Sequence, residues 1–247
     1  MSLQVVAMQD ARETPPQSAA FVQPSLSSLF ERQPLERFNA GAAVFWEGDD
    51  AMHLFQVADG VLRALRLLSD GRRIIVGFLR PGDLLGVSLR ERYLYTVEAI
   101  TPVKLRRLPR RRFEDEIERQ PRLREQLFSK LCDEMTAAQD QTVLLSRRSA
   151  DEKVANFLLL MSRDAFGDRT RIIDLPMTRL DMADYLGMTI ETVSRTITKL
   201  MNSGIIATTG RRSIIVLKME ALRSLADGDD ADPWSLPRAS GARYATA

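Results

Sequence analysis

The hydrophobic period of this chain switches once along its length, and that switch constrains the fold more than any other feature. From Leu35 to Leu108, short apolar runs such as Ala43–Trp46, Leu54–Val57, Val61–Leu67 and Ile74–Leu79 alternate with turn residues. Glycines stand at 41, 48, 60, 71 and 82, the last four spaced 12, 11 and 11 residues apart. Such punctuation implies many short antiparallel strands. Asp70-Gly71, between two β-rich runs, is a hairpin turn, because glycine tolerates the positive φ that primed turns demand. A small β-roll or jelly roll is predicted. Past Phe113 the alternation stops. Phe128, Leu131, Met135, Ala138, Thr142 and Leu145 step by 3, 4, 3, 4, 3, which is a heptad seam. A helix over Pro121–Ser146 would be roughly 38 Å long at about 1.5 Å per residue. Its seam suits two-stranded parallel packing and predicts a homodimer, although a helix laid on its own roll would use the same residues.

A third pattern follows. Ser149 and Glu152 form an S-x-x-E capping box opening a helix with Val154, Phe157, Leu158, Met161 and Ala165 on one face. Arg171–Leu175 reads as a short strand stopped by Pro176. Thr178–Leu186 reads as a helix, Gly187-Met188-Thr189 as a tight turn, and Ile190–Asn202 as a second helix ending before Gly204. Ile205–Ala207 and Ser213–Leu217, joined through Gly210-Arg211-Arg212, form a two-stranded wing. Two short helices across a glycine turn, followed by a hairpin, make a winged helix-turn-helix. Ala183, Leu186, Ile190, Val193, Ile197 and Leu200 are its expected core, leaving Glu191, Thr192, Ser194, Arg195, Thr198 and Lys199 outward. That outward set suits a helix entering the major groove, where Arg bonds guanine O6 and N7 and Glu accepts from cytosine N4. Glu191 and Arg195 are also four apart, the spacing of an ordinary surface ion pair.

Composition narrows the function. Lys plus Arg is 35 against 33 Asp plus Glu, for a net charge of +2, so nucleic-acid contact must come from a local patch. Cys132 is the only cysteine, which excludes an intrachain disulfide and a thiolate-held cluster or structural zinc within one subunit. His53 is the only histidine. An enzyme on a cupin-like roll, needing about two or three His to hold a metal, is therefore disfavoured, and no catalytic or metal-binding residue is expected. No apolar run approaches a membrane span, and residues 1–24 carry Asp10, Arg12, Glu13 and Pro15-Pro16 where a signal peptide needs an apolar stretch. A cytoplasmic protein is expected.

Residues 175–204, LPMTRLDMADYLGMTIETVSRTITKLMNSG, resemble the DNA-binding segment of the CRP/FNR superfamily of bacterial transcription regulators, most closely its FixK-type branch. The resemblance runs from about Phe21 to Leu225, since the roll and the long helix come in the family's order, and E-T-V-S-R is its most specific part. It implies an α+β fold with an N-terminal antiparallel β-roll of the cyclic-nucleotide-binding kind, a dimerisation helix and a C-terminal winged helix-turn-helix. The expected divisions are a disordered tail at 1–24, the roll at 25–112, the dimerisation helix at 113–147, the DNA-binding domain at 148–226 and a flexible tail at 227–247. It further implies that Glu191, Ser194 and Arg195 read bases, while Thr178, Arg179, Thr189, Thr192 and Lys199 contact phosphates. Ser194 beside Arg195 implies a TTGA-type half-site. A symmetric dimer would read two of these about one helical turn, roughly 34 Å, apart on double-stranded DNA. RNA polymerase is the expected protein partner.

Nucleotide-binding members hold an acid for the ribose and an Arg beside Ser or Thr for the cyclic phosphate. Here Pro81-Gly82-Asp83-Leu84-Leu85-Gly86 keeps the turn, but Val87 stands where the Glu would be, and Tyr93-Leu94-Tyr95 replaces the Arg-Ser/Thr stretch. A cyclic phosphate would meet no matching guanidinium. The amino-terminal cysteine cluster of oxygen-sensing relatives is absent. His53 is a structural residue or a haem ligand, and Cys132 a semi-buried filler or a redox sensor. The run from Lys104 to Arg112, six basic residues in nine, is a solvated connection or a contact for an anion or polymerase. The reading is a dimeric regulator, more an activator than a repressor, of low-oxygen respiration or nitrogen metabolism genes. It needs no cofactor or effector. Its alternatives are a regulator of the same fold gated by a small ligand, haem or Cys132 oxidation, and a module whose C-terminal domain contacts only protein.

Overall fold

A computed structural model describes residues 24–87, 90–147, 149–163, 172–210 and 212–228. The expected tails fall almost wholly outside these residues, as do Ala165 and the wing's Arg211. A one-turn helix α1 (Ser28–Glu31) precedes the strands β1 (Leu35–Phe38), β2 (Ala43–Phe45), β3 (His53–Asp59), β4 (Leu62–Leu67), β5 (Arg73–Leu79), β6 (Leu84–Leu85), β7 (Thr96–Ala99) and β8 (Val103–Pro109). They form two four-stranded antiparallel sheets, β1-β8-β3-β6 and β2-β7-β4-β5. The expected roll is present. Asp70-Gly71 turns β4 into β5, with Gly71 at φ 82° and its N–H donated to Leu68 O at 2.9 Å. Gly60 is fixed for a different reason: a Cβ there would lie 2.5 Å from the Pro102 carbonyl oxygen.

The roll interior is aromatic. Phe45 stacks on Tyr93 with ring centroids 3.8 Å apart, and Phe55 and Tyr95 each sit 5.9 Å from Phe45. Leu62, Leu85, Val97 and Leu105 complete that core. A separate apolar cluster gathers Leu26, Phe30, Leu54, Leu84, Leu108, Phe113 and Leu123 where helices meet the outer sheet.

The helical region expected as one unit over 113–147 is two helices, α2 (Arg110–Arg119) and α3 (Pro121–Ser146). They break at Gln120, whose backbone is extended at φ −125°, ψ 100°. Proline supplies the reason, since its ring disfavours helical geometry in the residue before it while suiting the first helical position itself. The long helix thus keeps the bounds that its pattern indicated. Leu123 buries its first turn in the outer roll cluster, and Leu144 buries its last turn in the C-terminal core.

The C-terminal region holds α4 (Ala150–Arg163), β9 (Ile172–Asp174), α5 (Arg179–Leu186), α6 (Ile190–Asn202), β10 (Ile206–Thr208), β11 (Ser213–Val216) and α7 (Met219–Asp227). Ser149 Oγ accepts the Glu152 N–H at 3.1 Å, the expected start of α4. The wing has three strands, not two: β9 pairs with β11, with Ile214 opposite Ile173, giving the order β10-β11-β9. Phe157, Leu158, Leu186 and Val193 are fully buried here, each contributing about 1.5–3 kcal/mol of apolar transfer.

Candidate nucleic-acid interface

The helix-turn-helix is built by two caps and one glycine. Thr178 caps α5, accepting the Asp181 N–H at 3.1 Å while Asp181 accepts the Thr178 N–H at 2.9 Å, a reciprocal capping box. Gly187 ends α5 at φ 62°, a left-handed conformation that glycine takes without strain, and Met188 N–H returns to Ala183 O at 3.0 Å. Thr189 then caps α6, accepting the Thr192 N–H at 3.3 Å. The chain passes from α5 to α6 in three residues, and α6 packs one face into the C-terminal core.

On α6 the burial follows the helical period. Val193, Ile197 and Leu200 are buried, together with Thr196, whereas Glu191, Ser194, Arg195, Thr198 and Lys199 are exposed. Ile190 departs from the expected core, being 39% exposed. It occupies the first helical position, before the helix has come under cover of its neighbours. Glu191, Ser194 and Arg195 therefore lie exposed on the first turns of one helix face. Glu191's carboxylate is held below its ordinary range by its own backbone N–H and the Thr189 hydroxyl, and least by Arg195. Arg195 acts on Glu191 through space, without a contact ion pair between the two. An acid at a helix N-terminus also meets the positive end of the helix dipole. Ser194, Arg195, Thr198, Lys199 and Asn202 line an open surface groove of about 430 Å³. Asn202, absent from the expected site, shares this face, three residues after Lys199, four after Thr198 and seven after Arg195.

The expected phosphate contacts are more varied. Thr178 and Thr189 are caps whose hydroxyls are engaged, and Thr192 Oγ1 lies 3.1 Å from Thr189 Oγ1. Arg179 is half-buried with Nη1 3.3 Å from Met182 Sδ, and burial lowers its pKa. Lys199 is ion-paired with Asp151 on α4.

All six seam residues of α3, Phe128, Leu131, Met135, Ala138, Thr142 and Leu145, are exposed, Phe128 by 69% and Met135 by 57%. Cys132 beside them is half-buried. The alternative in which α3 lies on its own roll through this seam is thus not what the chain does; Leu123 and Leu127 make that contact instead.

In the roll, Tyr93 is buried and Tyr95 packs against the same core, and burial pushes both hydroxyls up in pKa. Tyr93 Oη donates to His53 O at 2.7 Å. The His53 ring lies 6.4 Å from Phe55, and burial, then Arg107, lower its pKa. Among the described residues no group of three or more His, Cys, Asp or Glu could hold a metal ion, and no helix is long and apolar enough to cross a membrane. The basic run is partly neutralised at the surface: Lys104 pairs with Asp59 at 2.9 Å, Arg107 with Glu36 at 2.8 Å and Arg110 with Glu114 at 2.7 Å.

Known proteins share this arrangement. Residues 152–225 match the Crp-like helix-turn-helix domain, and residues 35–120 match the cyclic nucleotide-binding domain. The nitrogen fixation regulation protein FixK of Bradyrhizobium diazoefficiens is 45% identical over 175 residues, covering 69% of this chain and 73% of that protein. The transcriptional activator FnrL of Cereibacter sphaeroides is 35% identical, covering 84% of this chain and 86% of its own length. The solved structure of FixK2 from Bradyrhizobium japonicum superposes with a TM-score of 0.74 at 33% identity, covering 78% of this chain and 96% of that one. These relatives are transcription regulators and not enzymes. With a DNA-binding helix-turn-helix behind a cyclic-nucleotide-binding-like roll, the chain belongs to the CRP/FNR family of transcription regulators, among FixK- and FNR-type activators.

Proposed function

We propose that the protein works as a homodimer that reads a TTGA-type palindrome and activates transcription with RNA polymerase, with Glu191, Ser194 and Arg195 meeting the base edges. The observation that carries this reading is the free row of acid, hydroxyl and guanidinium on the first turns of α6. Each group can bond a base edge in the major groove, and Arg is the side chain best suited to guanine. Phosphate contacts fall to Arg179, Thr192 and Lys199, and to Thr178 and Thr189 in so far as capping leaves their lone pairs available. The uncovered apolar seam of α3 supports pairing of two subunits, because an apolar row of this length is stabilised by a second copy in register.

The regulator acts without a cyclic-nucleotide or iron–sulfur effector. Tyr93 and Tyr95 pack into the roll where a phosphate would need a cation, and their ring contacts with Phe45, stacked for Tyr93 and tilted for Tyr95, leave the core apolar. FixK is a nitrogen fixation regulation protein and FnrL a transcriptional activator, which supports activation of nitrogen metabolism genes here, with low-oxygen respiration genes the other target class that the family resemblance implies. Genome-wide footprinting with the purified chain and no added effector tests the whole reading. Protected TTGA-type palindromes, unchanged by added nucleotide, haem or thiol oxidant, are expected. Protection that requires one of these additions would transfer the reading to an effector-gated regulator, and no protection at all would remove the base-reading role of α6.

A further inference from the structure

The roll and the winged domain are joined by more than the chain. Arg63 on β4 lies opposite Glu98 on β7, and its Nε and Nη2 donate to Glu98 Oε2 at 3.0 and 2.6 Å. That grip aims its remaining nitrogen, Nη1, at Asp181 Oδ1 on α5, 2.7 Å away. Arg73, the first residue of β5, donates Nη2 to the same oxygen at 3.0 Å and Nε to Asp184 Oδ2 at 2.7 Å. The Asp181 side chain is 1% exposed. Its second oxygen accepts the Thr178 N–H at 2.9 Å and the Thr178 hydroxyl at 2.8 Å. A buried carboxylate is tolerated where its lone pairs are filled, and here four donors fill them. One carboxylate therefore caps the first helix of the helix-turn-helix and is held by two cations from the other domain.

Apolar contact lies alongside. Phe78 of β5 packs on Phe157 and Tyr185, with centroids 6.1 and 5.3 Å away, and Leu65 and Ile75 belong to the same cluster as Val193 and Ile197. Apolar burial resists separation but is non-directional, whereas charged hydrogen bonds from a planar guanidinium define an orientation. At the end of α3 the winged domain is further attached through the short link between Ser146 and Ala150, the burial of Leu144 and a hydrogen bond from Arg147 Nη1 to Asp227 O at 3.1 Å.

We propose that Arg63 and Arg73 are positioning residues for DNA recognition: by holding Asp181 and Asp184 they fix the angle at which each subunit presents α6, and so set the half-site separation that a dimer can read. The proposal rests on the reading of the protein as a dimer on a palindrome. Neither arginine touches DNA in this scheme. A rigid display engages both half-sites at one spacing and gains from their linkage, while a loose display spreads its binding over several spacings.

The test is a ladder of duplexes whose two TTGA-type half-sites differ in separation by single base pairs, with a single half-site duplex as reference. The full chain and its Arg73→Ala, Arg73→Lys and Arg63→Gln variants are titrated by fluorescence anisotropy. Sedimentation records dimer mass, and thermal unfolding records the fold. The parent chain is expected to prefer one spacing over its neighbours by about tenfold or more, and Arg73→Ala to flatten this preference to about threefold or less. Affinity for the single half-site and dimer mass stay unchanged. Arg73→Lys falls between, since it keeps the charge without the planar fork. Arg63→Gln carries the test if Arg73→Ala unfolds, and is expected to flatten the ladder in the same direction. A folded, dimeric variant that keeps the parental preference overturns the positioning role. An equal loss on every duplex overturns it as well, because that is a purely structural effect. A parent chain that shows no spacing preference overturns the palindrome reading itself and the positioning role with it.

Discussion

Helices α3 and α6 are both amphipathic, yet each leaves the opposite kind of face uncovered. On α6 the apolar residues Val193, Ile197 and Leu200 are buried and the polar row is open. On α3 the apolar residues Phe128, Leu131, Met135, Val143 and Leu145 are open, and burial is confined to Leu123 and Leu144 near its ends. A helix that has already buried its apolar stripe is stable within its own domain and offers hydrogen bonds outward. A helix that exposes the stripe is completed only by another apolar surface. Under the proposed reading the two helices serve different partners, polar base edges for α6 and a second copy of itself for α3.

That contrast can be broken from either side. Ile197→Ala on the covered face of α6 should have the largest effect, destabilising the C-terminal domain by about 2–5 kcal/mol through lost burial and a cavity, as read by thermal unfolding. The equivalent deletion on α3, Met135→Ala, should leave subunit unfolding nearly unchanged. Met135→Glu, by contrast, places like charges in the proposed seam and should raise the dimer dissociation constant by more than about 100-fold, roughly 3 kcal/mol. An intact dimer in sedimentation at low concentration would show that the open face of α3 is not the seam. On the open face of α6, Arg195→Ala should spare the fold and cost about 1–3 kcal/mol of operator affinity, with relaxed selection at one base pair. Equal affinity and selectivity in a binding titration would place base reading elsewhere. A smaller loss, about 1 kcal/mol by thermal unfolding, is expected from Thr189→Ala, which removes the α6 cap.

Legibility in the sequence followed the range of the interactions. The limits of α6 and α3 were readable because Thr189, Gly187 and Pro121 act on their immediate neighbours. The Asp70-Gly71 hairpin was readable for the same reason. The exposed row on α6 was legible from period alone, and so was the apolar stripe of α3. Three features were not. Strand β9 joins the wing through pairing to Ser213–Ile215, about forty residues away, and three residues carry too little pattern to announce a partner. Asp181 reads as an ordinary first-turn acid, yet its cations come from Arg63 and Arg73, separated by 118 and 108 residues. Lys199 reads as a free cation until the fold brings Asp151 beside it. Long-range charge pairing has no periodicity, so nothing in the linear chain marks it.

The two anchored ends of α3 have a mechanical consequence. Leu123 is fixed in the outer roll cluster and Leu144 in the C-terminal core, and the mostly exposed stretch between them meets the roll along one side through Lys130 with Asp83 at 3.5 Å and Gln141 Nε2 donating to Ile75 O at 3.3 Å. At about 1.5 Å per residue that stretch spans roughly 30 Å, long enough to act as a stiff beam with a load at each end. A twist applied anywhere along the beam is felt by both loads together, so whatever grips its middle governs the attitude of the two heads without touching either.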